Sequence, residues 1–266
     1  MKKYLKKILK ILSLQELRIL PSYLSYNFVL AIIPTFTIIL LIASIFSISS
    51  DSVISFIKNI VPSYIGNILT SIISSKNYSL SIGLLNLLTL YASSRGIYAV
   101  IESANNLYKV KERNRTKDRF KSIIVLLILI FAIIFLILIP VLGGKVLLLL
   151  EKYNIVTESI IYLYHALKWP ITLFIIFISV ILIYMIAPSI KLKVKDVLLG
   201  AFFTTIMWSI FTSIFSYYLT YFAKYDALYG GLSSITVLLI WIYFLSYILI
   251  LGMIINTTLY NKETLS

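Results

Sequence analysis

Long stretches without a single charge alternate along this chain with short stretches crowded with them. Ile19–Ser50, Asn77–Ser94, Ser122–Gly144, Trp169–Ile190, Val197–Ala223 and Ala227–Asn261 contain no Asp, Glu, Lys or Arg. A helix needs about 20 mostly apolar residues to cross the ~30 Å hydrocarbon core of a bilayer. Five runs reach that length alone, and the second reaches it by continuing through Arg95 to about Val100. The pattern predicts an all-α polytopic membrane protein with six transmembrane helices. They are expected at about 22–48, 80–108, 121–148, 169–188, 197–222 and 232–259, in a single domain covering 21–260.

Shorter periodicities fill the gaps. Leu5, Ile8, Leu9 and Leu12 recur at helical spacing with lysines largely on the other face, which predicts an interfacial amphipathic helix on the cytoplasmic leaflet within 1–20. Asp51–Lys76 reads as two short external amphipathic helices. Gly143–Lys168 reads similarly, with the third helix continuing to about Leu150. In the first helix Pro34 removes a backbone hydrogen bond and is expected to kink it. With Ser25, Tyr26 and Asn27 nearby, that helix either lines a cavity or carries an ordinary membrane-helix proline. The fifth helix carries small residues at intervals of four, including Gly200 and Thr204, as close helix packing in lipid requires. The sixth follows Gly230 and Gly231, which supply a flexible turn. No internal repeat is evident.

Composition agrees with the pattern. The chain is 60% hydrophobic and 13% charged, with a mean hydropathy of +0.99, where a soluble domain carries about 25% charged residues. The first apolar run is too long for a secretory signal, whose apolar core is about 7–15 residues. There is no cysteine, hence no disulfide framework and no thiolate metal site. The net charge of +14 is distributed as topology rather than as a nucleic-acid footprint. Six basic residues precede the first helix, seven separate the second from the third, and three separate the fourth from the fifth. The alternate connections hold six in total. By the positive-inside rule both termini are cytoplasmic, with anionic lipids as partners of the basic loops.

Catalytic chemistry has little to stand on. The single histidine, His165, lies in an external amphipathic segment, and none of the ten carboxylates has zinc-protease spacing. There is no nucleophile elbow, P-loop or dinucleotide fingerprint. The expectation is a protein that is not an enzyme and has no metal or cofactor.

Two charges stand out instead. Arg95 and Glu102 lie seven residues apart, about 10.5 Å along one helix face, within a polar face that includes Ser94, Asn105 and Asn106. Either Arg95 snorkels to the headgroups, or it faces the bundle interior, pairing indirectly with Glu102 or with Asp226 or a backbone carbonyl. An inward arginine would attract an anionic headgroup or solute. Asp226, beside Lys224, reads equally as a solvated loop charge. The candidate pathway residues are thus Arg95, Glu102, Asn105, Asn27 and Asp226, with Pro34, Gly230 and Gly231 as hinges.

Four segments, in this order, resemble the YihY/BrkB family of bacterial inner-membrane proteins: "SYNFVLAIIPTFTIILL", "YASSRGIYAVIESANNLYKVKE", "APSIKLKVKDVLLGAFFTTIMW" and "YDALYGGLSSITVLLIWIYF". The similarity runs from about Leu14 to Tyr260, with Ser94-Arg95-Gly96 and Tyr229-Gly230 as its most specific marks. It implies a six-helix protein of the cytoplasmic membrane. Some members are linked to virulence or serum resistance, and some are suggested to be transporters. A former label as ribonuclease BN is regarded as mistaken. The expected function is transport or efflux of a small anionic or amphiphilic, lipid-like molecule, through a cavity lined by the first, second, fifth and sixth helices. The alternatives are a non-transporting envelope scaffold and, third, a membrane-bound enzyme. Self-association is left open, because rows of small residues serve packing within one chain equally well.

Overall fold

A computed structural model describes residues 15–45, 51–55, 83–111, 114–152, 158–221 and 233–264. The described residues are helical or in short turns. Six long helices carry the fold: α1 Gln15–Ile45, α2 Gly83–Leu107, α3 Arg115–Lys152, α4 Glu158–Ile186, α5 Val194–Tyr221 and α6 Ser233–Thr264. A further helical segment occupies 51–55.

Each helix packs on the next in sequence, and α6 returns against α1, so the six close into a ring. The α1–α2 seam is the most extensive, and α6 also touches α2. Side-chain bonds show which ends lie together. Tyr23 of α1 donates to Glu102 of α2. Asn105 near the end of α2 and Asp118 near the start of α3 both bond Ser189, in the turn between α4 and α5. Tyr108 and Tyr260 meet edge to face at 5.8 Å, adding the last part of α6. The α2–α3 and α4–α5 connections, which carry the basic residues, therefore share one end of the bundle with the start of α1.

The turn at that end is closed by recognisable local chemistry. Val110 N–H donates to Asn105 O and Lys109 N–H to Asn106 O, with Lys109 at φ 53°, which is a Schellman closure with a left-handed residue where glycine is usual. Asn114 then caps α3 by accepting the Lys117 N–H at 3.0 Å.

Lipid tails are as apolar as leucine, so association of membrane helices rests on close packing and interhelical hydrogen bonds rather than on removing apolar area from water. The α5–α6 crossing shows both. Gly200 and Gly252 face each other so closely that a methyl group on Gly252 would sit 2.9 Å from Gly200 O and closer still to the Tyr184 and Thr204 hydroxyls. Tyr184 is fully enclosed there; it donates to Leu249 O at 2.8 Å and lies 2.6 Å from Thr204 Oγ1. Asn256 Oδ1 accepts the Gly200 N–H at 2.8 Å. Thus α4, α5 and α6 are fastened at one point.

The outer surface is apolar. Leu198, Leu199, Phe202, Ile206, Ile210 and Ile214 of α5 are exposed, as are Phe174 and Ile178 of α4 and Ile124, Ile128 and Phe131 of α3. A water-facing monomer rarely shows so large an apolar patch. By length and composition, Val194–Tyr221 and Thr236–Tyr260 are able to cross a membrane, and Pro170–Ile186 is a shorter apolar helix.

Two boundaries differ from the sequence pattern. Helix α1 starts at Gln15 and takes in 15–20, which the periodicity had placed in an interfacial segment; residues 1–14 lie outside the described ones. Helix α4 starts at Glu158 and absorbs the segment expected to be a separate external helix. An amphipathic stretch in phase with the apolar run beyond it extends that helix unless something breaks it. Pro170 does not, nor do Pro21 and Pro34 in α1, since each removes only one backbone bond in a helix held by its neighbours.

Candidate anion site on the outer face of the bundle

The site starts from two hydrogen-bonded rungs between antiparallel helices. Tyr23 and Asn27 lie one turn apart on α1; Glu102 and Arg95 lie two turns apart on α2. Tyr23 donates to Glu102, and Arg95 Nε donates to Asn27 Oδ1 at 3.2 Å. Asn27 is itself buried and holds its orientation by donating to Tyr23 O at 2.8 Å. Beside Arg95, Gly96 lets α1 come close: a Cβ there would lie 2.8 Å from the Phe28 ring and 3.4 Å from Ala31 Cβ. Gly96 is thus explained by packing, and its neighbour Arg95 by what lies outside the seam.

Outside the seam is a cavity of about 710 Å³. Its lining contains three arginines, Arg95, Arg115 and Arg119; four tyrosines, Tyr23, Tyr26, Tyr91 and Tyr98; and Asn27 with Thr116. Among the described residues no carboxylate lines it. Helix α2 forms the floor, and α1 and α3 form the walls. The cavity opens outward: Ile19, Ser22, Tyr26 and Leu30 make the exposed row of α1, and Leu88, Tyr91 and Arg95 that of α2. Tyr26 is 60% exposed and Tyr91 57%. Leu20, Leu24 and Ala31 on α1 and Ser93, Ile97, Val100 and Ala104 on α2 are buried, with Ala31 against Gly96 in the α1–α2 seam.

Arg119 is fixed by its surroundings. Its Nη2 donates to Tyr91 O at 2.7 Å, and its guanidinium carbon lies 3.9 Å from the Tyr91 ring centre and 5.4 Å from that of Tyr98. Its Nε is buried with no hydrogen-bond partner among the described residues. A guanidinium stacked on aromatic faces keeps its charge and its planar fork while its position is set. The three cations together favour an anion, and three guanidiniums match phosphate or carboxylate oxygens better than three ammonium groups would.

The sequence candidates separate here. Arg95 and Asn27 line the cavity, and Glu102 sits at its edge through Tyr23. Arg95 bonds the Asn27 side chain, a partner the spacing of charges had not indicated. Asn105 lies elsewhere, in a part-buried network in which its Nδ2 reaches Asp118 Oδ2 and Ser189 Oγ, both at 3.2 Å, its Oδ1 accepts the Ser189 N–H at 2.6 Å, and Ser189 Oγ donates to Asp118 Oδ1 at 2.9 Å. That cluster, with Lys121 donating to Pro188 O at 3.3 Å, ties two connections together and does not touch the cavity. Pro34 is inside α1 but not in the lining. Asp226, Gly230 and Gly231 lie outside the described residues. The described lining of this cavity comes from α1, α2 and α3. Reading Arg115 and Arg119 as topology charges concealed their place in the lining; their spacing of four at a helix start, and that of Tyr91, Arg95 and Tyr98 along one face, were the available signals.

Among the described residues no group of three His, Asp or Glu side chains is placed to hold a metal ion. No solved structure matches the chain. A protein named "Putative ribonuclease-like protein YfkH", from Bacillus subtilis (strain 168), is 30% identical over an alignment of 266 positions that covers 98% of this chain and 97% of that one. The family described as virulence factor BrkB matches residues 12–265. From its N-terminal helix to its C-terminal one, then, this chain is a membrane protein that belongs to the BrkB virulence-factor family.

Proposed function

We propose that the protein is a transporter or efflux protein for a small anionic or amphiphilic molecule, crossing the cytoplasmic membrane six times with both termini in the cytoplasm. One observation carries this reading: a cavity of about 710 Å³ whose described lining has three arginines and no carboxylate, between exposed rows of α1 and α2. An ionisable residue within a membrane helix, as Arg95 is in this reading, points by default to a functional site. In this reading Arg95 draws the anion and Asn27 holds the guanidinium. Glu102, bonded to Tyr23, keeps α1 in register with α2. The basic connections at the same end fit the cytoplasmic side.

The reading does not include the ribonuclease activity in the YfkH name. General acid–base cleavage needs a proton donor and acceptor that titrate near neutrality, and the cavity offers arginine and tyrosine hydroxyls in their place.

The test is flux through purified protein in sealed vesicles, with an anionic fluorescent amphiphile as cargo. Wild type should exceed protein-free vesicles, and Arg95→Ala should fall at least about tenfold, a change of ~1.4 kcal/mol in the transport barrier, while staying folded with a stability loss no larger than that of one interhelical bond, about 0.5–1.7 kcal/mol. Flux equal to that of empty vesicles, or equal in wild type and variant, would end the proposal.

A further inference from the structure

We infer that the cavity walled by α1, α2 and α3 is a lateral site for the phosphate headgroup of an anionic lipid, entered from the bilayer leaflet at the basic end of the bundle. This deepens the transport reading by naming the cargo class and its route, and it rests on the same cavity.

Three observations converge. The first is direction. A cavity for a cytosolic solute would open at the end of the bundle or into the ring. This one lies between the exposed rows of α1 and α2, with Tyr26 and Tyr91 more than half exposed beside it. Those rows face lipid in a membrane, so the mouth faces lipid as well.

The second is amphiphilic continuity. Because α1 and α2 are antiparallel neighbours, rising numbers on α1 and falling numbers on α2 lead the same way. Four residues beyond Tyr26 is Leu30, 45% exposed, and three residues before Tyr91 is Leu88, 57% exposed. The polar cavity therefore continues away from the basic end into an apolar track on α1 and α2. A headgroup seated among the arginines would leave its acyl chains along Leu30 and Leu88. Tyrosines, which belong at the level where bilayer meets water, mark the boundary between the two parts.

The third is charge. Three guanidiniums, with no carboxylate among the described lining residues, match a headgroup that carries phosphate and no compensating ammonium. A zwitterionic lipid would bring its own cation against Arg95, Arg115 or Arg119. The volume lies within the range of about 300–1,000 Å³ usual for small-molecule sites, enough for a glycerophosphate head.

The experiment is native mass spectrometry and competitive lipid retention on the full chain, purified in mild detergent. Dioleoylphosphatidylglycerol, dioleoylphosphatidylcholine and inorganic phosphate are the three probes. Wild type should retain phosphatidylglycerol about tenfold better than phosphatidylcholine, and millimolar phosphate should not displace it. Arg119→Gln should lose that preference. Because Arg119 also bonds Tyr91 O, Arg115→Gln is the companion variant, since Arg115 is an exposed residue in the first turn of α3. Lys117→Gln, exposed in the same turn but outside the lining, should behave as wild type. Equal retention of both lipids, loss in Lys117→Gln as large as in Arg115→Gln, or displacement by phosphate alone would overturn the inference; the last would make it a site for a soluble phosphate. Vesicle flux on the same variants separates this from the transport reading. Retention lost with flux intact removes the headgroup site and leaves transport standing. Retention intact without flux removes transport and leaves a lipid-binding site.

Discussion

At Gly252 a single methyl group has nowhere to go. It would press on Gly200 O, the Thr204 hydroxyl and the Tyr184 hydroxyl at once, and the nearest of these are backbone or locked by hydrogen bonds. Gly252→Ala is therefore expected to destabilise by about 1–3 kcal/mol or more, as overpacking of a filled core does. A thermal-shift series in detergent that found Gly252→Ala unchanged would contradict the close crossing. Lys109 runs in the opposite direction. A non-glycine residue in the left-handed region is strained by about 1–2 kcal/mol, and glycine removes that strain at a backbone-entropy cost of about 0.5–1 kcal/mol. Lys109→Gly should thus stabilise by roughly 0.5–1 kcal/mol, read as a rise in melting temperature; a fall would mean that the Lys109 side chain holds the turn. Of these residues, Gly200 was legible as one of a row of small residues spaced by four, whereas Gly252 has no such row to announce it. Its partners come from α4 and α5, tens of residues away, and only packing brings them together.

Among the elements, the connection between α2 and α3 and that between α4 and α5 are joined by Asn105, Asp118 and Ser189. Asn105 and Asp118 are buried there and Ser189, exposed in its turn, bonds both; removing one partner leaves a buried polar group short of a bond, at a cost of about 1–3 kcal/mol. Asn105→Ala and Ser189→Ala should each destabilise by that order. Together they should fall short of the sum, with a coupling of about 0.5–3 kcal/mol. Strict additivity in a double-mutant cycle would mean that the two connections are not coupled. The rungs between α1 and α2 invite a similar comparison: Tyr23→Phe keeps the ring and removes only the donor to Glu102, so it should cost about 0.5–1.7 kcal/mol, the range for such bonds between membrane helices. Helix existence was readable at this scale because long charge-free runs have few alternatives. Helix ends were not, because α1 and α4 extend into amphipathic stretches that the same periodicity allows to be separate.

For the whole molecule, the absence of native cysteine makes sidedness directly measurable. Lys111→Cys and Lys193→Cys, in the two connections that Ser189 brings together, should react with a membrane-impermeant maleimide from the same side of sealed vesicles. Asp51→Cys, beyond the far end of α1, should react from the other. Labelling of Lys111 and Lys193 from opposite sides would refute the shared basic end. The amino-acid sequence by itself determined the helical class, the membrane setting, the family and the two ionisable positions in α2. Each of these is written in composition or in short-range spacing, where neighbours in sequence are neighbours in space. Only the tertiary structure decided that Arg95 pairs with Asn27, that Arg115 and Arg119 join it while Asn105 leaves for another cluster, and that the cavity opens outward rather than into the ring. Those outcomes depend on which faces of α1, α2 and α3 meet, and a helix records its own faces but not its partner's.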